Sequence, residues 1–159
     1  MAYSYHNLYG TDVSVVRYFT VFGPAGRPDM SIFRFIKWID EGTPIELFGD
    51  GSQSRCFCHV SDVVDGLIAL SEHPQAFGRV FNLGGTDEIS INDLAQRVID
   101  LVGSKSSVEY IPYSVAYEEG FEDMARRVPN LSRARELVGF APSFNLDDIL
   151  QSVIDGERS

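Results

Sequence analysis

Phe48 and Arg55 are the residues whose types and spacing most suggest ligand binding. The strand-like residues Ile45 and Leu47 lead into Phe48, and the glycine-containing segment 49–52 separates Phe48 from Arg55. Glycine adopts positive φ without steric cost, so this segment predicts a tight turn. A phenylalanine ring could stack on a base, and an arginine fork could bind a phosphate. The residues alone favour the simpler interpretation, which is a plain hairpin with a solvated arginine.

Arg126 and Arg127 form a second candidate anion site, immediately before Pro129, Asn130 and a predicted helix start. If the fold brings them to Arg55, two guanidinium forks could hold one diphosphate by charge-assisted hydrogen bonds. The sequence leaves that proximity open. The chain has a net charge of −10, so an anionic ligand would need such a local basic pocket. Nonspecific binding to nucleic acid or to an anionic membrane is not expected.

The residues suited to acid–base chemistry form no recognisable catalytic arrangement. His6, His59 and His73 are scattered, and each fits a structural or surface role better than a catalytic one. Several carboxylates in the polar segment 113–128 could form a cluster, but a solvated acidic loop is the better interpretation. These carboxylates are Glu118, Glu119, Glu122 and Asp123.

The chain also lacks the sequence motifs of a complete dinucleotide-dependent dehydrogenase. The glycines at 49–51 and at 84–85 have neither the third glycine nor the following helix of a dinucleotide fingerprint. A Tyr-x-x-x-Lys pair is absent, because the only lysines are Lys37 and Lys105. We therefore assign no catalytic residue in this chain.

The two cysteines predict reduced, buried thiols in a cytoplasmic protein. Cys56 and Cys58 lie two residues apart in a presumed strand, which suits a disulfide poorly. The four-ligand spacing of a zinc site is absent, so no metal is expected. Neither a membrane-spanning apolar run nor a signal peptide is visible.

The pattern of apolar and turn residues predicts alternating strands and helices, and therefore an α/β fold. The run 13–19 has almost no polar interruption, which is typical of a strand buried on both faces of a parallel sheet. Such a strand cannot stand alone. The other expected elements are a short helix closed by Gly10, a loop at 20–29, helices capped by Ser31, by Ser61 or Asp62, and by Ser90, strands at 45–48, 56–60, 79–83 and 108–111, an irregular segment at 113–128, and helices at 131–138 and 146–154.

Four segments resemble, in the same order, the signatures of extended short-chain dehydrogenase/reductases that act on nucleotide sugars. Together they extend over nearly the whole chain, and the combination is specific although each segment alone is modest. The segments are 15–24 (VVRYFTVFGP) with 26–30 (GRPDM), 48–62 (FGDGSQSRCFCHVSD), 82–84 (NLG) with 90–95 (SINDLA), and 127–142 (RVPNLSRARELVGFAP).

The resemblance implies the C-terminal, substrate-binding part of an extended Rossmann-fold enzyme, with the last piece of the Rossmann sheet at the N-terminus. Residues 1–29 would be a remnant of the NAD-binding domain, containing a helix end, one parallel strand and a loop. Residues 30–159 would be the nucleotide-sugar-binding domain. The glycine fingerprint and the Tyr-x-x-x-Lys of the family would precede this chain, so we expect a fragment that is inactive alone. Its uncovered strand at 13–19 should favour self-association or a homodimer.

The family removes hydride from the sugar C4 hydroxyl with NAD and returns it after the 4-keto sugar rotates, which inverts C4. For substrate binding, the resemblance implies that Phe48 packs on uracil, with backbone near Glu46 bonding the base edge. It also implies that Arg55 and Arg127 clamp the diphosphate of a UDP-sugar.

The segment 20–30 is similar to UDP-glucuronate 4-epimerases. In those enzymes the threonine at the position of Thr20 lies near the sugar, and the arginine at Arg27 helps to hold the nucleotide sugar. UDP-glucose 4-epimerases more often have asparagine at the position of Thr20. The resemblance also implies a backbone contact of Val21 with the cofactor NAD.

The first hypothesis is therefore the substrate-binding half of an NAD-dependent UDP-sugar 4-epimerase, of the UDP-glucose or UDP-glucuronate type. The segment 121–130 departs from the glucuronate epimerases and looks more like UDP-glucuronate decarboxylases, with Asn130 replacing the usual aspartate. The alternatives are a UDP-glucuronate decarboxylase half, a dTDP-sugar 4,6-dehydratase half, a non-catalytic nucleotide-sugar-binding module, or a remnant with no function alone.

Overall fold

Strands and helices alternate along the chain, which confirms the predicted α/β class. The computed structural model describes residues 1–116, 118 and 123–158. The strands are β1 (Val15–Tyr18), β2 (Val21–Phe22), β3 (Ile45–Phe48), β4 (Ser54–Cys56), β5 (Cys58–His59), β6 (Val80–Leu83), β7 (Glu88–Ser90), β8 (Val108–Ile111) and β9 (Arg126–Arg127). The helices are α1 (Ala2–Tyr9), α2 (Ser31–Glu41), α3 (Val60–Ser71), α4 (Ile91–Val102), α5 (Tyr113–Ala116), α6 (Ser132–Val138) and α7 (Leu146–Glu157), with a 3-10 turn at Pro74–Ala76.

The chain divides into two compact units, each assembled from three separate segments. The first unit contains Met1–Phe22, Cys56–Asp87 and Val128–Leu146, and the second contains Gly23–Arg55, Glu88–Arg127 and Asp147–Ser159. The domain division expected from the sequence, at residues 29 and 30, stays a prediction.

The first unit is built on two parallel strand pairs, β1 with β6 and β2 with β5. The strand expected at 13–19 forms over Val15–Tyr18, and it is partly uncovered, as expected for this chain. Val15 and Val16 are half-buried, whereas Arg17 and Tyr18 are exposed. Among the described strands β1 pairs only with β6, so much of it remains uncovered. The core of this unit contains Cys58, Val63, Leu70, Ala76, Phe81, Leu83, Leu131, Ala134 and Phe140.

Two helix ends in the first unit differ in how well the sequence predicts them. Gly10 ends α1 with a left-handed φ of 65°, as expected. The caps expected for α3, Ser61 or Asp62, are wrong. The imidazole of His59 accepts a hydrogen bond from the Ser61 amide and caps this helix. The buried Asp62 carboxylate instead accepts hydrogen bonds from the amide and the hydroxyl of Ser143, at 3.0 and 2.8 Å.

In the second unit the predicted hairpin of β3 and β4 does not form. Strand β3 pairs in parallel with β8, whereas β4 lies between β7 and β9 and runs parallel to β9. The intervening turn contains Gly49 and Gly51 with φ of 76° and 70°. The Asn92 side chain packs directly on Gly51 and donates to the Asp50 carbonyl at 2.9 Å. The turn therefore directs the chain from one sheet into another.

Most of the buried apolar side chains of the second unit lie on its helices. The expected Ser31 cap is wrong, because the N-cap of α2 is Met30 and no side chain caps it. The Ser90 cap is confirmed, since its hydroxyl accepts from the Asp93 amide at 3.0 Å. Helix α2 packs against α4 and β3. The buried side chains are Ile32, Phe33, Phe35 and Ile36 of α2, Ile45 and Leu47 of β3, Leu94, Ala95, Val98 and Ile99 of α4, and Ile149, Leu150, Val153 and Ile154 of α7.

Three expected segments contain more regular structure than the sequence predicts. The loop at 20–29 includes β2, and the irregular segment at 113–128 includes α5 and β9. The last helix continues to Glu157 rather than ending at Ile154. These additions are short strands or helix ends, whose periodicity is too brief to detect from sequence.

Both cysteines are free and buried, as predicted. Burial, followed by the charge of Asp62, raises the pKa of the Cys58 thiol to about 12.

In the part of the chain that the structure describes, no group of three or more metal-binding side chains is found. None of the described helices is long and apolar enough to cross a membrane.

Candidate anion-binding site

The pairing of β4 with β9 brings two arginines together. Arg55 is the register partner of Arg127, and Ser54 is the partner of Arg126. Neighbouring strands lie about 5 Å apart, and side chains alternate between the two faces of a sheet. Arg55 and Arg127 therefore project from the same face of adjacent strands, a proximity that the sequence left open.

Arg55 is held in place by three oxygen acceptors. Its side chain is only 14% exposed, so the solvated arginine expected from the sequence is wrong. Its Nη1 donates to the backbone carbonyls of Ser54 and Met124, at 2.7 and 2.8 Å. Its Nη2 donates to Oδ1 of Asp123 at 2.7 Å. These contacts orient the planar guanidinium before any ligand binds.

Arg126 points to the opposite face of the sheet. Its Nε and Nη2 donate to Oε1 and Oε2 of Glu88 at 2.9 and 2.8 Å, and the Ser54 hydroxyl donates to the same carboxylate. The hydrogen bond with Arg126, then that with Ser54, lowers the pKa of Glu88. Of the two adjacent arginines, only Arg127 shares the face of Arg55.

Phe48 and Glu46 lie on one face of β3, and both are half-buried. The guanidinium of Arg34, on α2, lies 4.9 Å from the Phe48 ring centre and 4.6 Å from that of Trp38. This cation–π arrangement fixes the Phe48 ring beside a positive charge. Sequence reasoning assigned no specific role to Arg34. Its position four residues before Trp38 on a helix was the available signal.

Tyr113 connects the turn after Phe48 to Arg55. A Cβ atom on Gly49 would lie 2.4 Å from the Tyr113 ring, so only glycine permits this contact. The Tyr113 hydroxyl donates to Oδ2 of Asp123 at 3.4 Å, and Oδ1 of Asp123 binds Arg55. The turn, the tyrosine, the carboxylate and the arginine thus form one continuous set of contacts.

The acidic loop interpretation is incomplete for one of its members. Asp123 and Glu118 are both exposed residues, but the Asp123 side chain is only 30% exposed and is ion-paired with Arg55. Glu119 and Glu122 lie outside the described residues, as does Phe121 of the segment that resembles decarboxylases. Sequence reasoning missed the contact of Asp123 with Arg55, because 68 residues separate the two.

Arg27 lies in the loop before α2 and is exposed. Its guanidinium donates two hydrogen bonds to the carboxylate of Asp29, two residues further on. Hydrogen bonding to Arg27 lowers the pKa of the Asp29 carboxyl, and desolvation, which raises it, is the smaller effect. The predicted contact of Arg27 with a nucleotide sugar stays a prediction.

Thr20 and Val21 belong to the first unit. Thr20 has a φ of 29°, which is unusual for a β-branched residue. Its carbonyl accepts a hydrogen bond from the Cys58 amide at 3.1 Å, and Val21 is the register partner of Cys58. The expected roles of Thr20 near the sugar and of Val21 at the cofactor stay predictions.

The three histidines make structural contacts, as expected from the sequence. His6 pairs with the Thr11 carbonyl through Nδ1 at 2.8 Å. His59 caps α3 and stacks on Phe144, with 4.1 Å between ring centres. His73 caps the 3-10 turn.

Comparison with known proteins places this chain beside nucleotide-sugar enzymes. Residues 1–84 match the model of the NAD dependent epimerase/dehydratase family. A UDP-glucuronate 4-epimerase from Thermodesulfobacterium geofontis is 44% identical over 159 residues, which cover 99% of this chain and 47% of that protein. A UDP-N-acetyl-alpha-D-glucosaminuronate decarboxylase from Bacillus cytotoxicus is 34% identical over 95% of this chain and 48% of its own length.

Solved structures show the same relationship. The UDP-glucuronic acid 4-epimerase from Bacillus cereus, crystallised with UDP-glucuronic acid and NAD, matches 99% of this chain with a TM-score of 0.88 and 29% identity. A dTDP-glucose 4,6-dehydratase from Bacillus anthracis shares the fold, with a TM-score of 0.87 at 23% identity. This chain spans about half the length of these relatives.

Proposed function

Because this chain belongs to the NAD-dependent epimerase/dehydratase family, we propose that it is the substrate-binding half of an NAD-dependent UDP-sugar 4-epimerase. The observation that carries the proposal is the alignment of Arg55 and Arg127 on adjacent strands. The two side chains extend from the same face of strands about 5 Å apart, so both guanidinium groups are within reach of the two phosphates of one diphosphate.

The remaining parts of the proposed substrate have candidate partners. Phe48 would pack against uracil, with the backbone near Glu46 at the base edge. Thr20 and Arg27 would contact the sugar portion. Of the two epimerase types, the glucuronate type is favoured by the relative that is 44% identical to this chain.

The residues of this chain do not by themselves fit NAD. Both glycine turns are filled by the chain itself, because a Cβ on Gly49 would meet Tyr113 at 2.4 Å and one on Gly85 would meet the Phe57 carbonyl at 1.8 Å. Neither turn leaves the open backbone that a dinucleotide phosphate requires. We therefore propose that NAD binds a longer parent protein, with Val21 as a peripheral backbone contact, and we derive no hydride-transfer step from this chain.

Titration calorimetry with UDP, with AMP as the control, tests the proposal. Binding of UDP without AMP binding is expected, because the residues proposed to hold the diphosphate and to pack on uracil all belong to the second unit. Failure of UDP to bind both to this chain and to a longer parent that contains the Tyr-x-x-x-Lys would contradict the proposal.

A second candidate is the UDP-glucuronate decarboxylase type, which the Bacillus cytotoxicus relative favours. Both types would use the same diphosphate clamp, so binding experiments cannot separate them. Incubation of the parent protein with UDP-glucuronate and NAD does, since an epimerase conserves carbon and a decarboxylase releases carbon dioxide. A parent that binds UDP tightly but forms neither product would support the non-catalytic module.

We also propose that this chain self-associates through the first unit. An exposed apolar stripe follows α3 at a spacing of four residues, and Ile68 in it is 51% exposed. Light scattering should show a dimer or larger species, and Ile68→Lys should shift the chain toward monomer. A monomeric wild-type chain at high concentration would contradict this. The exposed apolar residues are Tyr3, Tyr5, Leu8, Tyr9, Tyr18, Val60, Val64 and Ile68.

A further inference from the structure

The anion position on Arg55 is filled by a side chain of the protein itself. Asp123 is the only charged acceptor of Arg55 among the described residues. The other two acceptors are the backbone carbonyls of Ser54 and Met124. A carboxylate and a phosphate compete for the same guanidinium donors, since the anionic oxygens of both accept charge-assisted hydrogen bonds from the planar arginine fork.

Asp123 is held less firmly than the other acceptors. One of its oxygens receives a single bond from Arg55 at 2.7 Å, and the other receives the Tyr113 hydroxyl at 3.4 Å. The second contact lies at the long limit of a hydrogen bond. A rotation of the Asp123 side chain would therefore free Arg55 without disturbing the strands that carry it.

We propose that the Asp123 carboxylate occupies the phosphate position on Arg55, and that a diphosphate must displace it in order to bind. This inference rests on the proposed function, because it assigns the ligand of the same site. The apparent affinity for the diphosphate is then the intrinsic affinity reduced by the fraction of molecules in which Asp123 has moved away. Asp123 thus sets the affinity of the site from within the chain.

The alternative role for Asp123 is to orient Arg55 for its ligand, and the two roles predict opposite signs. If Asp123 orients Arg55, its neutral isostere should weaken binding of a diphosphate. If Asp123 competes with the ligand, the same isostere should strengthen binding, because an amide is a weaker acceptor for a guanidinium.

The experiment titrates wild type, Asp123→Asn and Glu88→Gln with UDP and with inorganic pyrophosphate. Asp123→Asn should bind both ligands roughly fivefold more tightly, which is the effect expected of a partly exposed ion pair. Glu88→Gln is the matched control, because it removes the same charge from the opposite face and should leave both affinities unchanged. Adding Arg55→Ala to Asp123→Asn should abolish the gain.

The outcomes separate this inference from the proposed function. If wild type binds UDP and Asp123→Asn binds it equally or more weakly, the displacement of Asp123 is overturned and the proposed UDP-sugar function is retained. Tighter pyrophosphate binding by Asp123→Asn supports displacement, and it contradicts the UDP-sugar function if UDP also binds no variant of this chain or of the longer parent. Binding of neither ligand by any variant of this chain or of the parent overturns both. An equal gain in Glu88→Gln overturns displacement, because the gain would then come from net charge alone. Asp123→Ser repeats the test if Asp123→Asn fails to fold.

Discussion

The two faces of the sheet formed by β7, β4 and β9 each carry an ion pair of an arginine with a carboxylate, in different environments. On one face Arg55 is paired with Asp123, and on the other Arg126 is paired with Glu88. The Arg126 side chain is 67% exposed and binds Glu88 with two parallel hydrogen bonds. The Arg55 side chain is 14% exposed and gives its carboxylate a single bond.

The pair with more hydrogen bonds is therefore the one that solvent weakens more, and the partly buried pair has a single hydrogen bond. An exposed ion pair contributes little to stability however good its geometry. A partly buried arginine requires hydrogen-bond acceptors for its N–H groups. Two acceptors of Arg55 are backbone carbonyls. The charged acceptor, Asp123, is otherwise held only by the long contact with Tyr113. This combination suits a site at which one anion is exchanged for another.

The largest difference between the two faces should appear in diphosphate affinity. Arg55→Ala should weaken binding of UDP by about 2 kcal/mol, or roughly thirtyfold, because a hydrogen bond to a charged group would be lost from a buried position. Arg126→Ala makes the same change in composition and charge on the opposite face. It should leave the affinity nearly unaltered in the same titration, and equal losses in the two variants would remove the distinction between the faces.

The contact between Gly49 and Tyr113 offers a second, intermediate test. Gly49→Ala forces a Cβ atom into the Tyr113 ring in addition to the cost of a positive φ, whereas Gly42→Ala meets nothing within 4 Å at a φ of 70°. Gly42→Ala should cost about 1 kcal/mol of unfolding free energy, from backbone strain alone. Gly49→Ala should cost more in chemical denaturation.

The same pair of variants also tests the connection to Arg55. Because Tyr113 contacts Asp123, Gly49→Ala should change the affinity for pyrophosphate, while Gly42→Ala should not. Equal stabilities and equal affinities for the two variants would mean that Tyr113 does not link the turn to the anion site.

The sequence predicts the local parts of this structure well and the distant contacts poorly. The helix end at Gly10 and the Ser90 cap follow from interactions within a few residues. The pairing of β4 with β9 joins residues about 70 positions apart, and nothing local to either strand specifies it. For that reason the residues alone favoured a hairpin between β3 and β4, which the parallel pairing of β3 with β8 replaces.

The same distinction holds within the candidate site. The family resemblance identified Arg55 and Arg127, because each lies in a recognisable segment. It did not identify Asp123, which occurs in a segment where an acidic loop was the simpler interpretation. A carboxylate that pairs with a distant arginine has no signature of its own, so only the fold could reveal it.

The smallest expected effect concerns the stability of the exposed pair in acid. The pKa of Glu88 is lowered in the folded chain, first by its hydrogen bond with Arg126. A carboxylate with a lowered folded pKa contributes stability above its unfolded pKa, and this contribution is lost as pH falls through the folded value. Glu88→Gln should therefore leave the melting temperature slightly lower than wild type at pH 7, and the difference should shrink toward pH 3. A difference that stays constant across this range would show that the Arg126 contact does not depend on the charge of Glu88, and the exposed face would then contribute packing alone.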